Sequence, residues 1–221
     1  NAIKSRESQI KARYDAFAEY DSFAGVFGCD EPNATQFEAI AAAQDWFELN
    51  YPQYEFYVNL LPRYASNEQL FGSLYGQDGY KTYADHVMRF AEEVNPYMIS
   101  YDNYAMIDSS AGQNAYILYD YIYNLAVGAT TAKTLEDKYP WEVPFYVYLQ
   151  SMGFEGKIQI ANYEQWSWQV YTAMSYGVTG ILSFCYWPNM ADEAPSGILT
   201  DGVVDRYGNP TDCYGFVQKT I

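Results

Sequence analysis

The residues with the clearest chemical potential stand at the ends of short apolar runs. They are Cys29-Asp30-Glu31-Pro32-Asn33, Asn59-Leu60-Leu61-Pro62, Ser100-Tyr101-Asp102-Asn103-Tyr104, Gln150-Ser151 and Tyr186-Trp187-Pro188. Glu31 is the sharpest of them. Pro32 has no N–H and stiffens the chain as it leaves the run, so the carboxylate before it is set to project from a strand end. A carboxyl group in that position suits general acid chemistry. A glycosidic oxygen is a poor leaving group, and its hydrolysis needs one carboxylic acid to protonate it and a second carboxylate to act as nucleophile or base. Asp102, between Tyr101 and Tyr104, is the candidate second carboxylate. Asp30, Asn59, Tyr101, Tyr104, Gln150 and Trp187 are the candidate sugar contacts: Asp30, Asn59 and Gln150 offer hydrogen bonds to hydroxyls, and the three rings offer flat faces with polar tips. Structural roles compete for the two carboxylates: Asp-Glu-Pro also reads as the cap of a following helix, and Asp102 as an Asx-turn at a strand exit. Asp108, Glu155 and Glu164 are weaker loop candidates.

These positions need a scaffold that brings strand ends together. The runs Phe23 to Gly28, Glu55 to Leu60, Tyr97 to Tyr101, Pro144 to Leu149 and Gly180 to Tyr186 read as strands. Stretches of helical periodicity alternate with them at Ser5 to Glu19, Thr35 to Asn50, Gly79 to Val94, Asn114 to Tyr139, Tyr163 to Tyr176 and near Thr211 to Lys219. The alternation predicts βα units and a parallel sheet within one domain spanning residues 1–221. Either a (β/α)8 barrel or a doubly wound open sheet produces it. No strand is followed by G-x-G-x-x-G or a P-loop, which weakens nucleotide-binding folds.

Composition narrows the chemistry further. Twenty-eight acidic and 12 basic residues give a net charge of −16, which repels a phosphate backbone and makes nucleic acid an unsuitable partner. Three cysteines without a C-x-x-C pair and a single histidine, His86, offer no His/Cys cluster for a transition metal. His86 falls in an amphipathic stretch and reads as a helix-surface or helix-packing residue. No metal or other cofactor is expected, and no apolar run is long enough to span a membrane. Asn1 opens a polar, charged stretch rather than a signal peptide. The aromatic content of 19%, with 25 tyrosines, suits stacking against sugars, although ordinary packing uses such rings too.

Phe23 to Pro32 resembles the fourth strand of bacterial barrel glycoside hydrolases of the large retaining clan that includes the β-galactosidase and cellulase families. Tyr57 to Pro62 looks like the next strand of those proteins, and Ser100 to Tyr104 is similar to the sixth. Tyr176 to Trp187 resembles the seventh helix and eighth strand, while Gly197 to Gly202 with Tyr207 to Thr211 is similar to the approach to the last helix. The resemblance implies a (β/α)8 barrel present in part, about strands four to eight, with strands one to three absent from these residues. It implies that Glu31 is the acid/base and Trp187 a sugar-stacking platform.

One departure matters. The clan places a nucleophilic glutamate at the end of the seventh strand, where this chain has Gln150, and an amide cannot form a glycosyl ester. The leading expectation is a glycoside hydrolase in which these 221 residues alone are inactive. The alternative is a catalytically silent carbohydrate-binding barrel. A third reading, a phosphate-using barrel such as an isomerase or aldolase, lacks its lysine base and glycine-rich loop. Three further expectations follow. The strand-end residues Glu31, Asn59, Asp102, Gln150 and Trp187 should converge on one concave face. The Glu31 pKa should be raised. The strands holding Val26 and Leu182 should both be open edges, covered by a missing N-terminal barrel segment or by a second chain.

Overall fold

The computed structural model describes residues 2–106, 114–140, 142–153, 162–188 and 202–220. Its α-helices are α1 (Ala2–Ala18), α2 (Phe37–Asn50), α3 (Asn67–Phe71), α4 (Tyr83–Glu93), α5 (Asn114–Glu136), α6 (Tyr163–Ser175) and α7 (Asp212–Thr220). Its strands are β1 (Gly25–Asp30), β2 (Glu55–Asn59), β3 (Ile99–Asp102), β4 (Phe145–Gln150) and β5 (Gly180–Phe184). Side-chain caps set several boundaries. Thr82 accepts from the Asp85 N–H while Asp85 reaches back to the Thr82 N–H, so α4 starts at Tyr83 rather than at Gly79. Asn162 and Gln165 form the same reciprocal pair ahead of α6. The five-residue helix α3, capped by Ser66 and Gln69, has no counterpart in the sequence reading.

All strand pairings between named strands are parallel, in two small sheets ordered β1-β2 and β3-β4-β5. This corrects the expected partial (β/α)8 barrel. The fold is α/β, but the five strands do not form one continuous barrel-like ladder. The break lies between β2 and β3, whose backbone pairing among the described residues is a single bridge between Leu60 and Tyr101. Its physical reason is the shortness of β3. Pro96 has no N–H to donate, residues 97 and 98 bend, and regular pairing begins only at Ile99.

Helices pack on the sheets through a core that includes Phe37, Phe90, Ile99, Leu125, Phe145 and Leu149, each at most 2% exposed. Each such side chain contributes about 1.5–3 kcal/mol by leaving water. Helix α5 seats closely because Gly128 has no side chain; a Cβ there would lie 2.5 Å from the Phe145 ring. Trp166 is buried and Trp168 packs on Tyr121 at 5.0 Å, so both serve packing. No helix among the described residues is long and apolar enough to cross a membrane. β1 and β5 each have one strand neighbour among the described residues, and Phe27 and Ile181 on them are exposed.

His86 is fully buried on α4, with its ring 5.2 Å from Phe37 and 5.9 Å from Phe71. Burial lowers its pKa from 6.5 to about 4. Between those values the unfolded chain binds a proton that the native state refuses, so stability falls as pH drops through the window. In urea unfolding, the difference in stability between wild type and His86→Phe should change by about 3 kcal/mol between pH 7 and pH 4, to the detriment of wild type. A difference independent of pH contradicts this account of the buried ring.

Candidate functional site

Whether Asp30 and Glu31 cap a helix or face a cavity is decided by Asn33. Its side chain accepts from the Thr35 N–H at 3.0 Å, and Gln36 accepts from the Asn33 N–H at 2.9 Å. These bonds cap the short 3-10 turn Ala34–Gln36 that leads into α2. The two preceding carboxylates are thereby left to the strand end. A register irregularity between Phe27 and Cys29 interrupts the alternation of β1, which allows residues three apart, Phe27 and Asp30, to line one cavity. Gly28 fills the irregular position because a Cβ there would lie 2.2 Å from the Phe56 ring. Glu31 then adopts φ +46°, in the left-handed region, and so lines the same cavity as its neighbour. Strain of this kind gathers at sites where a side chain must be aimed.

The cavity has a volume of about 320 Å³ and is lined by Phe27, Asp30, Glu31, Asn59, Asp102, Tyr104, Tyr148 and Phe184. Every one of the five strands, or the loop directly after it, supplies a residue. Asn59 is the hub. Its Nδ2 donates to Asp102 at 2.9 Å and to Asp30 at 3.4 Å. Ser100 Oγ donates to Asn59 Oδ1 at 3.2 Å and lies 2.9 Å from the Tyr57 hydroxyl, which fixes the amide with its nitrogen toward the carboxylates. The Glu31 N–H donates to the Asn59 carbonyl at 2.8 Å.

The Glu31 and Asp102 carboxyls line the cavity together and influence each other's ionisation. Burial raises the Glu31 pKa most, followed by the negative charges of Asp102 and Asp30, and brings it to about 7. Asp102 is raised to about 6, again chiefly by burial, while the Asn59 hydrogen bond favours its charged form. The Tyr104 phenol is pushed well above its ordinary value by burial and by the Asp102 charge. Both carboxyls are thereby held above their ordinary range, chiefly by burial.

Not every expected residue joins this cavity. Tyr101 is 2% exposed with its ring 5.9 Å from Phe145, so it belongs to the core rather than to a sugar site. Gln150 is fully buried. Its Oε1 accepts from the Met106 N–H at 2.9 Å and its Nε2 donates to the Met106 carbonyl at 3.0 Å, so it holds the loop after β3 instead of facing the cavity. Trp187 is exposed beyond β5 and is not among the lining residues. Glu164 lies in the first turn of α6, exposed. Asp108, Glu155 and the segment Gly197 to Asp201 lie outside the described residues.

Phe27, Tyr148 and Phe184 were missed because attention to polar strand ends passes over aromatic residues one or two positions earlier. Period-two alternation back from Gln150 points to Tyr148. Tyr64 was missed as well; its hydroxyl accepts from the Tyr104 N–H at 3.4 Å. A larger hollow of about 660 Å³ lies at the opposite ends of the strands, lined by Glu48, Tyr54, Glu55, Tyr97 and Tyr139 among others. There the Tyr139 hydroxyl and the Gln44 amide both donate to the Asn95 carbonyl, each at 3.1 Å. Asp30, Glu31 and Asp102 do not form a donor set for a metal ion.

Neither family models nor curated proteins match the chain, so the chemistry of the site rests on its geometry. In a pH titration of ¹³C-carboxyl-labelled protein followed by NMR, Glu31 should titrate near pH 7. In Asp102→Asn its midpoint should fall, because a negative charge is removed, yet remain above the ordinary glutamate value because burial persists. A wild-type midpoint near 4.5, or no response to the substitution, contradicts the pairing.

Proposed function

We propose that this protein hydrolyses O-glycosidic bonds and that Glu31 protonates the leaving oxygen. The observation that carries the reading is that Glu31 and Asp102 line one cavity of about 320 Å³ together with aromatic residues, where burial and the charge of neighbouring carboxylates raise both carboxyls above their ordinary values. A general acid works best when its pKa lies near the working pH. Phe27, Tyr104, Tyr148 and Phe184 give the cavity aromatic surface for a sugar face, and Asn59 gives it a fixed amide. Once the bond has broken, the Glu31 carboxylate can take a proton from the incoming water, the reversal that a single acid/base residue performs in such hydrolyses.

The resemblance to the retaining glycoside hydrolases supports the same reading through Asp30-Glu31-Pro32 and Ser100 to Tyr104. Carbohydrate is accordingly the proposed partner. The second reading, a sugar-binding protein without turnover, is favoured by the clasp between Gln150 and the Met106 backbone, which leaves a neutral, buried amide where the clan has its nucleophile. Aryl glycosides distinguish the two. Under the hydrolase reading, wild type releases the phenol and Glu31→Gln loses about 10²- to 10⁴-fold in kcat, with sugar affinity measured by calorimetry largely kept. Sugar binding with no turnover by wild type would establish the second reading instead.

The proposal for the exposed edges of β1 and β5 is that a second chain or a further segment covers them. Sedimentation velocity of the 221-residue chain should then show species heavier than a monomer, and Ile181→Lys should shift the distribution toward monomer by placing a charge on the edge. A monodisperse wild-type monomer contradicts it.

A further inference from the structure

The larger hollow, about 660 Å³ at the opposite ends of the strands, takes no part in the proposed hydrolysis. Its volume is that of a pocket for a small organic ligand. Residues 51–54 and 94–98, the connections from α2 to β2 and from α4 to β3, bound it and are described throughout. Its walls are fixed before any ligand arrives. Asn95 adopts φ +55°, the left-handed conformation that commonly follows a helix end, and its carbonyl is held by the Tyr139 hydroxyl and the Gln44 amide. The Tyr54 hydroxyl donates to the Ala18 carbonyl at 3.3 Å, and its ring lies 4.6 Å from that of Phe23. Rings already held in this way lose little freedom when something binds between them.

The charge around the hollow has one sign. Helices α2, α4 and α5 all end beside it: Glu48 stands in the last turn of α2, and Asn95 and Tyr139 lie just beyond the ends of α4 and α5. The free carbonyls of a helix C-terminus carry partial negative charge and favour a cation. The last turns of α2 and α4 hold no basic residue, and Lys133 near the end of α5 is engaged by Glu136 at 2.6 Å. Glu48 and Glu55 are exposed and have no ion-pair partner among the described residues. They belong to no described group of three side chains able to hold a metal ion. Beside them the lining is aromatic, with Tyr54, Phe56, Tyr97 and Tyr139. Aromatic rings attract ammonium groups, and apolar surface accepts the methylene stems that carry them.

We propose that this hollow binds an aliphatic polyamine, with ammonium groups at Glu48 and Glu55 and the methylene stem along the tyrosine rings. Two carboxylates on different elements match two ammonium groups on one stem better than a single compact cation. The site is independent of Glu31 and of the hydrolase reading.

The test is calorimetric titration of the full chain with spermidine at physiological ionic strength, where diffuse attraction to a net charge of −16 is screened. One saturable site is expected. Glu48→Gln and Glu55→Gln should each weaken binding by about 10-fold or more, and Tyr97→Leu by about 5-fold. All three side chains are exposed, so these variants should keep the wild-type urea midpoint. Butylamine, with one ammonium group, should bind about 10-fold more weakly than spermidine. Glu68→Gln, an exposed carboxylate elsewhere, and Asp30→Asn, in the cavity at the other ends of the strands, should leave spermidine binding unchanged. In wild type, spermidine should also shift the ¹³C-carboxyl signals of Glu48 and Glu55, a readout that needs no variant to fold. Absence of saturation, equal weakening by Glu68→Gln, or carboxyl shifts confined to Asp30, Glu31 and Asp102 would overturn the proposal, as would equal affinity for butylamine.

Discussion

The site depends on two carboxyl groups set side by side at the strand ends, Asp102 buried and Glu31 partly open to water. Burial alone favours the neutral form of each, and the proximity of the other makes double ionisation costlier still. Asn59 prevents the symmetric outcome in which both stay neutral, because its amide donates to Asp102 and favours the charge there. Glu31 is the more accessible partner, the one from which a proton can leave. Around this pair the irregular backbone of β1, the Asn33 cap and the Ser100 contact become intelligible as the means of aiming three side chains at one point.

Such an arrangement opposes stability. A carboxyl whose folded pKa lies above its unfolded value contributes most at low pH, and that contribution is lost as pH rises through the folded value. For Asp102 and Glu31 the loss runs from their ordinary values of 3.8 and 4.5 up to about 6 and about 7. His86 acts in the opposite sense: its buried, neutral ring disfavours the native state as pH falls from 6.5 toward 4. Over the same acidic range the two effects therefore oppose each other, through groups on unrelated elements.

Much of the element order was legible because it follows from local chemistry. The five strands and the six long helices fall close to the stretches that hydrophobic periodicity marks, and caps such as Thr82 with Asp85 account for the shifts of a few residues. The sheet organisation was not legible. A single bridge in place of a ladder between β2 and β3 depends on where Pro96 and the bend after it allow pairing to begin, a matter of three-dimensional register. The same division applies to the site. Polar residues at strand ends pointed to Glu31, Asp102, Asn59, Asp30 and Tyr104, all of which line the cavity. Tyr101 and Gln150 stand at equally polar strand ends but turn into the core and toward Met106, because adjacent strand residues face opposite ways and a buried amide seeks backbone partners. The irregularity at Gly28 carried no signal beyond the glycine itself.

The central claim, that Glu31 is a general acid whose proton is retained by Asp102, is tested most directly by the pH dependence of kcat/KM on an aryl glycoside. In the free enzyme this profile reports the ionisation of the essential acid. It should fall along a basic limb centred near pH 7, and the limb should move to lower pH in Asp102→Asn. A profile with no basic limb in this region, or a limb that stays in place when Asp102 is neutralised, would contradict it.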